Sequence, residues 1–370
     1  MLETAHIAGG TGPAPLLLTR EETGKLHPRI RPRVQPEISV WSSDRESLYG
    51  RLAALALEHV TLLDATTAWA AAQGYRNLLW DAAAMPAGGH YLPIYVHLLA
   101  GLEQSGAITP DRTVLVETTT GTAGMALAWL ASRLGYRLVL FMPADMPRQR
   151  RQRVEELLGP GSELILTPEG TYVAGMVHAF RRFMARARHR DDRGDLFALD
   201  HSRRPEAVDA LVPILRAAWR SSGAERIDYA VGALGNGTSS AALFRVARDL
   251  NPGVTCVGVE PIEAPMAYLA KYGIDRFEAL FGYRPKPHPH QLLGTGGWGV
   301  RFPHLAVDEI DEIIPLHEER WREEQQKAAQ RGLDFGNSTA ACQAAITALM
   351  PRRDAPFTSL SIRYDTSEVY

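Results

Sequence analysis

From about residue 47 the apolar positions alternate between two rhythms. ESLYGRLAALALEHV spaces its apolar residues at helical intervals, and NLLWDAAA is a short continuous apolar run of the kind a buried strand shows. YLPIYVHLLAGLEQSG then predicts a helix, TVLVETTTG (113–121) a strand and turn, TAGMALAWLASRLG a helix, and YRLVLFMPA a strand. Gly135 sits where a helix C-cap is expected before that returning strand. The scheme continues with helix RRQRVEELLG, strand SELILT, helix VAGMVHAFRRFMARARH and strand DLFALD. One helix over 205–221, a strand–turn–helix in DYAVGALGNGTSSAALFRVARDL, and strand TCVGVEP follow. Such alternation predicts an α/β fold with parallel sheets covered by helices on both faces. Residues 1–50 are rich in Pro, Arg and Thr and are expected to form an extension on the surface.

Composition narrows the class. The 370 residues, 45% hydrophobic, can bury one large core or two moderate ones, and a formal net charge of −2 gives no nucleic-acid signature. The basic run RQRRQR (148–153) reads as a solvated helix face. No apolar run approaches the ~18 residues of a membrane span, and no signal pattern opens the chain. A soluble, cytoplasmic protein without membrane or nucleic-acid partners is expected. Cys256 and Cys342 lie in apolar contexts and predict no disulfide. His288 and His290 have His-x-His spacing but no accompanying cluster, so no metal site is expected. There are only four lysines: Lys25, Lys271, Lys286 and Lys327.

Ligands of open α/β sheets bind at the carboxyl ends of strands, in the turns that lead into helices. Three such turns carry candidate chemistry. In MPAGGHYLPI (85–94), small residues precede two rings, His90 and Tyr91. In ETTTGTAG, Thr118, Thr119, Thr120, Gly121 and Thr122 put hydroxyls and backbone N–H groups at a helix start, where a carboxylate is favoured. In GALGNGTSS, Gly235, Asn236, Gly237 and Thr238 could cradle a phosphate. Neither of the last two has Walker or dinucleotide-fingerprint spacing.

The order of these turns, followed by GVEP, GTGGW (294–298) and GNSTAA (336–341), resembles the pyridoxal-phosphate enzymes of fold type II. These are the cysteine synthase, cystathionine β-synthase and cysteine desulfhydrase-like proteins. The resemblance runs from about residue 55 to the closing SIRYDTSEVY and implies two parallel-sheet, three-layer α/β domains of tryptophan synthase β-subunit type. The implied larger domain is 51–91 plus 201–370 and the smaller 92–200, with a homodimer as the usual assembly. By the same resemblance Thr118 to Thr122 grip the substrate carboxylate, Gly235 to Thr238 bind the cofactor phosphate, and Ser338 bonds the pyridine nitrogen. The family writes its first turn Pro-Thr-Gly-Ser-x-Lys-x-Arg, the lysine forming the Schiff base. Here those positions read Pro86, Ala87, Gly88, Gly89, His90, Tyr91, Leu92, Pro93. Tyr91 stands at the lysine position and Pro93 at the arginine position. Thr122 stands where Asn is common, and Asn236 interrupts the usual glycine cradle.

A neutral tyrosine forms no imine, and a reference pKa of about 10 makes it a poor base. His90, with a reference value of about 6.5, is expected at a partly exposed helix start, able to exchange protons near neutrality. Neighbouring helix residues point about 100° apart, so His90 and Tyr91 are not expected to face one ligand together. Two readings of function follow. One is a cysteine synthase-like enzyme of small-molecule biosynthesis acting on an amino acid or similar carboxylate without an internal lysine aldimine, its pyridoxal phosphate either held non-covalently or lost. The other is a non-catalytic, ligand- or partner-binding relative.

Overall fold

The computed structural model describes residues 43–87, 89–187, 195–296, 300 and 302–369. Most of the expected extension lies outside these residues, as do Gly88 of the first turn, Gly297 and Trp298 of GTGGW, and Tyr370 of the closing motif. Helix α1 (Ser43–Glu58) begins inside the stretch assigned to the extension. It packs on α3 (Tyr91–Gln104) around a buried carboxylate, Glu103. The hydroxyls of Tyr49 and Tyr136 donate to Glu103 at 2.7 and 2.8 Å, and Arg45 pairs with it, so the buried charge is fully engaged.

Strands β1 (Leu62–Asp64), β2 (Arg76–Asp81), β7 (Tyr229–Ala233), β8 (Thr255–Pro261), β9 (Glu312–Leu316) and β10 (Thr358–Arg363) form one sheet in the order β1-β2-β10-β7-β8-β9. The C-terminal strand β10 lies between β2 and β7, with Leu360 opposite both Leu78 and Ala230. All pairings are parallel except that of β1, a short antiparallel edge that the pattern did not show. The second sheet is wholly parallel: β3 (Thr113–Thr118), β4 (Arg137–Pro143), β5 (Glu163–Thr167) and β6 (Asp195–Ala198), in the order β5-β4-β3-β6. Every residue of β7 is buried, as are all but one of β3 and of β4, so both faces of each sheet are covered.

Helix α4 (Thr122–Leu134) follows β3 and ends at Gly135, a left-handed cap at φ 82° as expected. Beyond β4, β5 and β7 run α5 (Arg148–Leu157), α6 (Tyr172–Ala187) and α9 (Thr238–Leu250); α13 (Asn337–Leu349) precedes β10. The single helix expected over 205–221 is two, α7 (Pro205–Asp209) and α8 (Val212–Ser221). Pro213 has no N–H to give the carbonyl of Asp209, so one helix cannot run through it. Cys256 and Cys342 are buried free thiols. No helix among the described residues is long and apolar enough to cross a membrane.

Candidate active site

The carboxyl ends of strands from both sheets converge on one cavity. His90 and Tyr91 reach it from the turn after β2, and Thr118, Thr119, Thr120 and Thr122 from the turn after β3. Gly235 and Asn236 arrive after β7, and Ser338 from the first turn of α13. Gly121, Gly237 and Thr238 are not part of the lining. They stand behind it, where glycine permits close approach: a Cβ on Gly121 (φ 137°) would lie 2.1 Å from Arg150 Cδ, and one on Gly237 2.6 Å from the His304 carbonyl carbon.

The threonine loop divides its labour. Thr119 Oγ1 accepts the N–H of Gly121 at 2.9 Å and of Gly124 at 2.7 Å, so this hydroxyl caps α4 from three residues before its first. Thr118 donates its backbone N–H to Glu117 Oε1 at 2.7 Å. Thr120 and Thr122 line the cavity at the N-terminus of α4, where an anion is favoured. Arg150, expected on a solvated face, is 2% exposed and also lines the cavity. Its guanidinium donates to the Thr120 carbonyl at 3.2 Å and pairs with Asp365 at 3.3 Å. Helix α5 turns this one arginine of the run inward because Gly121 leaves room for its stem.

The first turn also differs from expectation. Its Gly89 (φ 55°) makes room for protein backbone: a Cβ there would sit 2.8 Å from the Tyr364 carbonyl oxygen. His90 is the residue before α3, outside the helical repeat, so it and Tyr91 face the same cavity with ring centroids 4.1 Å apart. His90 is buried, and its Nδ1 has no hydrogen-bond partner. Burial, with the His201 ring nearby, pushes the imidazole down to about 3. It is a neutral ring at physiological pH, which corrects the expectation of a residue titrating near neutrality. Burial and the charge of Glu117 push the Tyr91 hydroxyl up to about 12, so Tyr91 keeps its proton and acts as a donor.

Two further residues complete the site, and no spacing in the sequence marked them. Glu117, the last inward-facing residue of β3, and His201 are both buried. Glu117 Oε2 accepts the His201 backbone N–H and faces its ring Nδ1, each at 3.0 Å. Across the ring, His201 Nε2 lies 3.0 Å from Asn236 Nδ2. Asn236 also hydrogen-bonds the Tyr91 hydroxyl, while its Oδ1 accepts the Thr238 N–H at 3.0 Å. Asp200, immediately before His201, holds a left-handed φ of 45°, a strained backbone of the kind found where a functional side chain must be aimed. The chain Tyr91–Asn236–His201–Glu117 thus joins the two sheets along one wall. Among the described residues no lysine lines the cavity: Lys271 donates to the Val307 carbonyl, Lys327 pairs with Glu324, and Lys286 is exposed.

Comparison with known proteins agrees with this architecture. The probable cysteine synthase of Bacillus subtilis is 29% identical over 247 residues, covering 66% of this chain and 72% of that protein. The crystal structure of a hydrogen sulfide-producing enzyme from Fusobacterium nucleatum superposes with a TM-score of 0.70 at 19% identity, over 85% of this chain and 98% of that one. That of an O-acetylserine dependent cystathionine β-synthase from Helicobacter pylori gives 0.70 at 20% identity, over 86% and 96%. These likenesses establish the expected fold type, an α/β fold with two parallel sheets. Residues 81–356 match the model of the pyridoxal-phosphate dependent enzymes, and the chain belongs to that family.

Proposed function

We propose that this protein is a cysteine synthase-like enzyme of small-molecule metabolism that acts on an amino acid or similar carboxylate without a cofactor bonded to lysine. The observation that carries this reading is the cavity wall itself. Tyr91, which has no amine, opens α3 beside the threonine loop, the glycine turn and Ser338. The sheets also support the division expected from sequence, 51–91 plus 201–370 against 92–200, with the ligand received between the two parts.

Pyridoxal phosphate, which the family implies, does not fit the residues present. The glycine turn that would receive the phosphate has its Thr238 N–H taken by the Asn236 side chain, and Gly237 and Thr238 stand behind the lining. No described lysine lines the cavity to bond an aldehyde. The chemistry is therefore derived from the chain's own side chains. Thr120, Thr122 and the amides opening α4 hold the carboxylate, Arg150 supplies positive charge behind them, and Tyr91 offers a proton to a neighbouring oxygen.

The test is a thermal-shift panel of small 2-amino and 2-oxo carboxylates beside their amides. A ligand that binds only the folded state stabilises it by RT ln(1 + [L]/Kd). The carboxylates should raise the melting temperature and the amides should not; no shift with any carboxylate at millimolar concentration overturns the reading. We also propose a homodimer to which α1 contributes, and gel filtration giving only monomer at micromolar concentration would refute it.

A further inference from the structure

We propose that His201, oriented by Glu117, moves protons on the bound carboxylate, and that the site catalyses proton exchange at the carbon beside the carbonyl of a small 2-oxo acid. The proposal rests on the reading above that the threonine loop holds a carboxylate. Its geometry is that of a carboxylate-oriented imidazole. Glu117 Oε2, 3.0 Å from Nδ1, fixes the tautomer with the proton on Nδ1 and leaves the Nε2 lone pair toward Asn236, which lines the cavity. Glu117 is itself held by N–H groups of Thr118 and His201, so the base cannot swing away without breaking both. The Asn236 amide turns aside from Nε2 when the ligand takes its place beside the ring. Of the two rings beside it, burial holds His90 neutral and Tyr91 keeps its proton.

The step balances without an external reactant. Nε2 of His201 takes a proton from C3 of the oxo acid. The C–H electron pair forms the C2–C3 double bond, and the carbonyl π pair moves to the C2 oxygen. Tyr91, protonated and in the same wall, hydrogen-bonds that oxygen as its charge develops. Reversal with a solvent-derived proton on His201 returns the oxo acid with one hydrogen exchanged. The groups facing His201 are Glu117, Tyr95, Tyr91, Asn236, His90, Asp200 and His304. Of these, Tyr95 places its hydroxyl 3.0 Å from Nδ1 and flanks the ring from α3.

The experiment follows loss of the C3 proton signals of pyruvate and 2-oxobutyrate by NMR in D₂O, with the full-length protein and no added cofactor. Wild type should exchange them above the buffer rate. His201→Asn should lose on the order of 10²–10⁴-fold, as removal of a general base does. Glu117→Gln should lose rate while the oxo acid's thermal shift is kept. Nitrogen-15 spectra of the wild-type ring give a second readout independent of variant folding: protonated Nδ1 and bare Nε2 are expected, and the opposite tautomer overturns the proposal. Binding without exchange, or exchange unchanged in both variants, removes His201 from the chemistry but leaves the carboxylate site standing. Absence of binding refutes the site reading itself, and this proposal with it.

Discussion

Replacing Thr119 and Thr120 separately by valine distinguishes a hydroxyl that builds the site from one that serves it. Thr119 is 2% exposed, and its one oxygen accepts two buried backbone N–H groups, of Gly121 and Gly124. Valine keeps the methyl that packs against Gly124 and fills the same volume, so no cavity opens. What is lost is a helix cap worth about 1 kcal/mol and the satisfaction of a second buried amide, about 1–3 kcal/mol. The expected destabilisation is therefore about 2–4 kcal/mol, and at roughly 2 °C per kcal/mol for a large chain the melting temperature should fall by about 4–8 °C. Thr120 contributes its carbonyl to Arg150, which valine preserves, and presents its side chain to the cavity. Thr120→Val should melt within about 1 °C of wild type. Its affinity for the oxo or amino acid should fall by the ~1.5–3 kcal/mol of a hydrogen bond to a charged group, roughly 10- to 150-fold. Thermal denaturation with and without ligand reads both quantities. A Thr119→Val protein as stable as wild type, or a Thr120→Val protein with the full ligand shift, refutes this division of labour.

His90 sets a pH dependence. Its folded value of about 3 lies below the ~6.5 of an unfolded histidine, so between those limits the unfolded chain binds more protons and stability falls as pH drops. The contribution reaches about 1.4 kcal/mol per pH unit. The difference in melting temperature between wild type and His90→Asn, which cancels other titrating groups such as His290 and Glu260, should shrink from pH 7 to 4.5; a constant difference would refute it. Gly121→Ala forces a side chain into φ 137° and onto the Arg150 stem, and should cost about 2–5 kcal/mol with loss of ligand binding, measured by the same melts. Tyr91→Phe keeps the ring between His90 and Tyr95 and should fold normally, while exchange of oxo-acid protons slows at least tenfold. Wild-type exchange rates in that variant would mean the hydroxyl does no chemistry.

From β2 to β8 the fold was legible because short apolar runs alternate with stretches of helical spacing, and because the three candidate turns lie at the carboxyl ends of strands; β1, β9 and β10 are short or interrupted by polar residues and did not stand out. Nine of the twelve anticipated site residues line one cavity, since the turns that carry them share that position. The rest was hidden for particular reasons. His201 lies in a strained turn after β6 with no motif around it, and only the parallel pairing of β3 with β6 brings it beside Glu117. Arg150 is one of four arginines in a run, and its burial depends on a glycine 29 positions earlier. A helix start is ordinarily open to water, which predicts a partly exposed His90 turned away from Tyr91; the packing of this turn instead buries His90, and both rings line the cavity.

The central claim is that this member of the family works without a lysine-bonded cofactor. Its most direct test is to incubate the full-length protein with excess pyridoxal phosphate, reduce with borohydride, remove free cofactor and record the intact mass and peptide map. An unmodified chain is expected, with no saturable stoichiometric adduct and no cofactor retained in the unreduced sample. A pyridoxyl group trapped stoichiometrically on Lys25, Lys271, Lys286 or Lys327 would contradict it.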